Sequence, residues 1–594
     1  MSDETRIQGM GAIPHAGGVA FRVWAPHAQR VAVIASFNDW DGGRHPMQAE
    51  ESGYWYANVA EAQVGDQYKF LLTTAQGELQ RIDPYAREVT NSVGNAIIHD
   101  PIFDWEGDDF GLTPWNELVL YELHVGTFNE QDDNPSGEFA SVSARLGHLQ
   151  RLGVNAIQIM PITEFAGERS WGYNPSHIFA VESDYGGPMA FKRFVKRAHQ
   201  HGIAVILDVV YNHLGPGDLD LWQFDGWSEN GRGGIYFYND SRASTPWGDT
   251  RPDYGRGEVR QYLLDNAAMW LEEYHIDGLR LDGTVYIRTP HGPGSDDLPD
   301  GWGLLQAIND LVARRFPGRI TIAEDLQNNK WLTKEVGAGG AGFGAQWDAN
   351  FVHPIRQAVI APQDEHRSLA AIRDALLYRY NDDAFERVIY SESHDEVASG
   401  KARVPQEVNP DDPKGWHSRK RSTLAAAMVF TAPGIPMLFQ GQEFLEGGWF
   451  RDSVPLDWDQ RDEFHGIVRL YRDLIRLRLN HEGFSRGLCG QFTQVYHLNE
   501  ERKVLAYHRW DKGGPGDDVV VVVNLRHEPQ DGYVIGFPAA GTWRLRFNSD
   551  WQGYNDDFGN HASSDVVSEE GYYDGLPFHA AVSVGPYSVL IFSQ

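Results

Sequence analysis

The sequence predicts an α/β protein: a closed (β/α)8 TIM barrel with an all-β domain before it and a second one after it. Three observations carry this expectation. Eight apolar, strand-like runs alternate with helix-period segments through the middle of the chain. Short strand patterns broken by Gly, Asn and Pro turns fill both ends. A length of 594 residues exceeds what one core holds, since domains run to roughly 100–200 residues.

The elements follow in order. FRVWA (Phe21 to Ala25) and VAVIA (Val31 to Ala35) are short apolar strands separated by a turn-rich PHAQR segment. YWYANV and YKFLLTT continue the pattern, and their spacing fits a small β-sandwich over residues 1–103. DPIFDWEGDDFGLTPW, ending at Trp115, reads as a linker.

From Glu117 the period changes. VLYELH (Val119 to His124) is strand-like, and Phe139, Val142, Leu146, Leu149 and Leu152 then recur at helical spacing up to Gly153. VNAIQIM is a buried-strand run, a helix over Met189 to His201 stops at Gly202, and IAVILDVV follows. Helices over Glu258 to His275 and Leu304 to Phe316 lead into IDGLRLD and RITIAED. GFGAQWD, RVIYSES and IPMLF complete the series, so the eight strands begin near residues 118, 154, 203, 277, 319, 342, 387 and 435. An open doubly wound sheet would want a Gly-rich phosphate turn after the first strand, and VGTFNEQ does not supply one.

The barrel domain thus spans residues 104–484 and carries a long Gly/Trp-rich insertion at about 211–255, of a length usually reserved for functional loops. Past about Ser485, VLAYHRW, DVVVVVNL, YVIGF, TWRLRF and YSVLIF read as a second β-sandwich over residues 485–594.

Composition narrows the function. Lys plus Arg number 51 against 83 Asp plus Glu, a net charge of −32. Such acidity repels phosphate backbones and anionic lipid heads, so nucleic-acid and membrane-surface partners are excluded. One cysteine, Cys489, forbids an intrachain disulfide framework and any multi-cysteine metal site. The start, MSDETRIQGM, has no signal-like apolar run, and no stretch of membrane-spanning length occurs, so the expected location is the cytoplasm. No cofactor is expected and no metal: DDNPSGE (Asp132 to Glu138) reads as a solvated acidic loop.

In barrels of this kind chemistry gathers at the C-terminal strand ends. Those ends place Asp208 and His213 in LDVVYNH, Arg280 and Asp282 in DGLRLDG, Glu324 and Asp325 in TIAED, and His394 and Asp395 in SESHDE. Singly, each has a structural reading: an aspartate at a strand end is commonly a cap or turn former, Arg280 a buried partner, and His213 and His394 hydrogen-bonded core histidines. Together, on four strands of one barrel, they are hard to explain as packing, because buried charge is costly unless paired. Three carboxylates facing one cleft suit glycosyl transfer: one attacks the anomeric carbon, a second with a raised pKa protonates the leaving oxygen, and a third steadies the oxocarbenium-like state.

Those strand ends also carry a resemblance. DVVYNH, DGLRLDG, IAED and SHDE resemble the four signature regions of glycoside hydrolase family thirteen, the α-amylase family, in the family's order and on strands three, four, five and seven. FRVWAPHAQRVAVIASFNDWD resembles the family-forty-eight carbohydrate-binding module, and the last sandwich resembles that family's usual C-terminal domain. The resemblance implies retention of configuration on α-glucosidic bonds. It implies Asp282 as nucleophile, Glu324 as general acid/base and Asp395 as transition-state stabiliser. Arg280 would pair with the nucleophile, while Asp208, His213, His394 and the aromatic Tyr173 of WGYNP would hold the sugar.

Within that family the motifs point two ways. VLYELHVGTF and LDVVYNHLGP are similar to malto-oligosyltrehalose trehalohydrolases; SESHDEVASGK and GIPMLFQGQEF are similar to glycogen branching enzymes. The expected function is therefore a 1,4-α-glucan branching enzyme acting on a long α-glucan, with an α-glucan hydrolase and a non-catalytic glucan binder as the alternatives. Trp24, Trp40, Trp55 or Tyr56 could stack on glucan rings if exposed, although Trp24 lies inside a strand. Gly283 stands where the family usually has Ala after the nucleophile, and Asn212 where many α-amylases ligate calcium.

Overall fold

A computed structural model describes residues 6–130 and 138–594. Of the acidic stretch read as a solvated loop, residues 132–137 lie outside the described residues. Among the described residues eight parallel strands close into a barrel: β1 (Leu120–Leu123), β2 (Ala156–Ile159), β3 (Ala204–Val209), β4 (Gly278–Leu281), β5 (Ile320–Ala323), β6 (Ala345–Trp347), β7 (Arg387–Ile389) and β8 (Ile435–Phe439). β8 pairs with β1 in parallel and closes the ring. The strands are short and buried along their whole length, because the barrel interior covers one face and the helices cover the other.

The helices obey local rules except where a tertiary contact overrides them. Helix α1 (Gly187–Gln200) starts with Pro188 in its first turn, buries Phe191, Phe194, Val195 and Ala198, and is followed by Gly202 at φ +72°. Helix α2 (Gly257–Glu272) stops before the expected His275, since His275 itself adopts φ +55°, outside any continuing helix. Helix α3 (Pro299–Arg315) begins five residues before Leu304, again on a proline suited to a first turn. The single helix expected over residues 139–152 is two, Phe139–Ser143 and Leu146–Leu152. Ser143 Oγ bonds back to the Phe139 carbonyl, and the Arg145 guanidinium stacks 4.1 Å from the Trp458 ring centre, so the chain bends there. A short hairpin, Thr163–Phe165 with Pro175–Val181, was not anticipated: its first strand is too brief to show a period.

The N-terminal domain is a pair of facing antiparallel sheets with Phe21, Val23, Val33, Phe70 and Leu72 buried between them. Trp24 and Tyr56 are buried, whereas Trp40 is 38% exposed. The C-terminal domain is an antiparallel sheet of eight strands whose first and last members meet, His497 and Asn499 both reaching the Tyr533 hydroxyl. Its strands Phe492–Asn499, Val566–Tyr573 and Leu576–Val584 were not read from the sequence, because their outward residues are polar or aromatic and blur the alternation.

The insertion after β3 forms a bridge. It contains only short helical turns, yet much of it is buried. Asp225 takes hydrogen bonds from the His27 backbone and ring, Trp227 stacks on that ring at 4.7 Å, and Arg81 donates to the carbonyls of Gln223 and Phe224. The N-terminal domain is thereby tied to the segment that borders the C-terminal strand ends.

Candidate active site

The polar residues expected at the strand ends converge. Asp282, Glu324, Asp395, His394, His213 and Tyr173 line one cleft of about 300 Å³, together with Trp247 from the insertion. Arg280 and Asp208 lie beneath it, fully buried. Asp325 borders the same cleft, with its carboxylate engaged by a two-pronged contact from Arg288 and a hydrogen bond from Thr284.

Arg280 organises the floor. In the parallel register of β3 and β4 it lies opposite Asp208. Its Nη1 donates to Asp208 Oδ2 at 2.6 Å and to Asp282 Oδ1 at 2.9 Å, while Nη2 stands 3.8 Å from Glu324 Oε2. Trp347 covers the guanidinium at 4.5 Å. Burial pushes Asp208 up to about 7 against the pull of Arg280, and leaves its Oδ1 with no partner among the described residues. Tyr173 donates to the same carboxylate at 2.7 Å and lays its ring parallel to that of His394, 5.1 Å away.

Asp282 has a second donor, Asn212 Nδ2 at 3.1 Å, and Asn212 Oδ1 in turn lies 3.0 Å from His213 Nδ1. Asn212, noted in the sequence for a possible calcium, thus orients the carboxylate instead. Gly283 makes this possible. Its φ is +50°, and a Cβ there would lie 2.1 Å from Asn212 Nδ2. The missing methyl at this position is what lets Asn212 approach Asp282. The Gly283 amide donates to Glu324 Oε2 at 2.7 Å, so one backbone turn supports both acids.

The environments of the acids differ. Glu324 is pushed up to about 8 by burial and by the nearby Asp282 and Asp395, with Arg280 opposing. Asp395 has a half-exposed side chain, with His394 Nε2 3.4 Å from its Oδ1. His213 is lowered by burial and places Nε2 2.8 Å from the Tyr173 carbonyl. A carboxyl still protonated near neutrality beside a second carboxylate held by two donors is the division that glycosyl transfer requires.

Trp247 and Glu122 escaped the sequence reading. Glu122, wholly buried on β1, accepts from the His394 amide at 3.0 Å and faces His394 Nδ1 at 2.6 Å. Burial alone would lower His394, but Asp395 and Glu122 outweigh it and raise it to about 9. The signal was present as a lone carboxylate inside the apolar run VLYELH, which a strand packed on both faces does not otherwise tolerate.

The chain is similar to known proteins along most of its length. The family model "Alpha amylase, catalytic domain" matches residues 123–227 and 219–464. "Carbohydrate-binding module 48 (Isoamylase N-terminal domain)" matches 9–86, and "Alpha amylase, C-terminal all-beta domain" matches 496–594. A 1,4-alpha-glucan branching enzyme of Rhodospirillum rubrum is 32% identical over 97% of this chain and 80% of its own length. One from Methylococcus capsulatus is 32% identical over 92% of this chain and 76% of its own. Among solved structures, a pullulanase of Anoxybacillus complexed with maltotetraose superposes with a TM-score of 0.77 at 20% identity, covering 99% of this chain and 88% of that one; at this identity it speaks for the fold alone.

Two outcomes follow from the geometry. Gly283→Ala forces Asn212 away from Asp282, a strain of about 1–3 kcal/mol, and is expected to lower kcat/KM on an α-glucan roughly tenfold or more while the fold survives. Wild-type kinetics would show that the Asn212 contact is idle. The Glu122–His394 pair has a pH signature. Because the folded histidine titrates near 9 rather than 6.5, its stabilisation is complete below about 6.5 and is lost as pH rises through about 9. The Tm advantage of the wild type over Glu122→Gln should accordingly be larger at pH 6 than at pH 9.5; an equal gap at both would dismiss the ion pair.

Proposed function

The chain belongs to the α-amylase family, and from that premise we propose that it is a 1,4-α-glucan branching enzyme. It cleaves an α-1,4 bond and re-forms an α-1,6 bond with net retention. The observation that carries this reading is the single cleft lined by Asp282, Glu324 and Asp395 over a shared buried arginine. Identity of 32% to branching enzymes across nearly the whole chain supports the choice of transfer over hydrolysis.

The chemistry follows from the groups. A glucose unit of the donor chain rests on the Tyr173 ring, its hydroxyls held by Asp208 Oδ1, His213, His394 and Asp395. Asp282 attacks the anomeric carbon as protonated Glu324 gives its proton to the departing glycosidic oxygen. The product is a β-linked glycosyl ester on Asp282. Glu324, now a carboxylate, removes the proton from a 6-hydroxyl of an acceptor glucan, whose oxygen attacks the same carbon from the opposite face. Two inversions restore the α configuration. His394, raised to about 9, stays cationic through this cycle and offers a charged donor to the sugar.

No helix among the described residues is long and apolar enough to cross a membrane. That fact and a single, buried cysteine support a cytoplasmic place for the enzyme.

Incubation with amylose separates the alternatives. Branching lowers the iodine colour while reducing ends stay nearly constant and α-1,6 signals grow in the proton NMR spectrum. Reducing ends rising in step with colour loss would mean a hydrolase, and trehalose released from a maltooligosyl-trehalose would mean a trehalohydrolase. Glu324 sets a second test. Since its proton is held to about 8, kcat/KM should hold through neutrality and decline as pH climbs past 8. Glu324→Gln should cripple turnover of natural glucan by orders of magnitude yet largely spare glycosylation by a maltosyl fluoride, whose leaving group needs little protonation. Equal losses on both substrates would remove Glu324 from the acid role.

A further inference from the structure

The segment that follows the nucleophile is tied to the strand end that carries the acid. Gly283, at φ +50°, leads from Asp282 into a short helix, Thr284–Arg288, too brief to hold itself by its own hydrogen bonds. Its anchors are Glu324 and Asp325, just past β5. The Gly283 amide donates to Glu324 Oε2 at 2.7 Å, and the Thr284 amide donates to the Glu324 carbonyl at 2.8 Å. The Thr284 hydroxyl, with one proton to share, lies 2.9 Å from that carbonyl and 3.0 Å from Asp325 Oδ2. Arg288 closes the far end of the helix: its Nε donates to Asp325 Oδ2 and its Nη2 to Oδ1, each at 2.9 Å.

Asp325 is buried, and the hydrogen bonds its carboxylate accepts among the described residues all come from this helix. An aspartate that merely shapes a strand end caps the chain that follows it. Asp325 instead reaches across to the connection after the neighbouring strand β4, while the chain beyond it turns away with Leu326 at φ +58°. A buried carboxylate needs a partner, and the planar fork of Arg288 fixes orientation as well as charge. Glu324 precedes Asp325 by one residue, and Asp282 precedes the helix by two. The fork therefore sets how the two reacting carboxyls stand relative to each other.

We propose that Asp325 is a positioning residue for glycosyl transfer: through its clamp on Thr284 and Arg288 it holds the Gly283 amide against Glu324 and fixes the acid relative to Asp282. The inference rests on the reading of Glu324 as general acid/base. The clamp also touches the acid's titration. Burial raises Glu324 to about 8, Asp282 and Asp395 add to the rise, and Arg280 and the Gly283 amide oppose it. His394 and Tyr390, beside Asp395, and the Arg288–Asp325 pair itself are the other titratable groups around it. Slackening the clamp draws the amide away and removes one of the two opposing influences.

The test uses the full-length enzyme and keeps the charge constant. Asp325→Asn combined with Arg288→Met removes the fork without altering net charge. It is expected to lower kcat on amylose about ten- to hundredfold with KM within about twofold, since a misplaced acid slows the reaction rather than binding. First-turnover release of fluoride from a maltosyl fluoride should stay within about threefold of wild type, because that leaving group needs little protonation. The alkaline decline of kcat/KM should move to higher pH by about 0.5. Arg288→Lys, which keeps the charge and one prong, should lie between the double variant and wild type. Thr284→Val, uncharged and of the same shape, should move the alkaline limb in the same direction. Wild-type kinetics in the double variant at a native Tm overturn the proposal. So does an equal loss on both substrates with an unmoved alkaline limb, which makes Asp325 a support of the fold alone. If the double variant does not fold, Thr284→Val decides, and an unmoved limb there rejects the clamp. Failure of the catalytic reading looks different: Glu324→Gln then loses equally on amylose and on the fluoride while the clamp is intact.

Discussion

A single buried guanidinium carries the architecture of the catalytic cleft. Arg280 has no exposed side-chain surface, and an unpaired cation there would cost several kcal/mol. Asp208 and Asp282 neutralise it directly, and Glu324 stands just beyond contact. The requirement works in both directions. The arginine keeps two strand ends in register because β3 and β4 must each bring a carboxylate to it, and it prevents the three clustered acids from repelling one another out of place. Its distance from the acids also differs: it touches Asp282, which Asn212 meets as well, and stands farther from Glu324, which burial raises to about 8.

A second layer extends this control. Glu122 reaches from β1 to His394 after β7, so the two strands that flank β8 are joined across the floor of the site. Asn212 and Gly283 are complementary in shape: the one occupies the space that the other lacks. Both devices place a polar group against a residue of the cleft through contacts that a helix or strand pattern does not advertise.

The outlying domains are more than appendages. The N-terminal sandwich holds the insertion after β3 through His27 and Arg81. That insertion delivers Trp247, stacked 4.6 Å from His213, to the cleft wall. At the other end the Lys420–Asp550 pair locks the C-terminal sheet to the barrel.

The barrel, its eight strands and the order of the acids along the chain were legible in the sequence, because apolar periodicity and the polar strand ends are local features. The convergence of Asp282, Glu324, Asp395, Tyr173, His213 and His394 followed from placing those ends on one rim. Trp24 was readable as core, but the burial of Tyr56 and the exposure of Trp40 were not, since both depend on how two sheets face each other. Helix ends were misjudged at His275 and Leu304, where a left-handed residue and a proline set the boundary. Glu122 and the purpose of Gly283 were decided only by tertiary structure. Each depends on a contact between residues far apart in the chain, and the strength of such a contact is fixed by burial, which a linear pattern does not record.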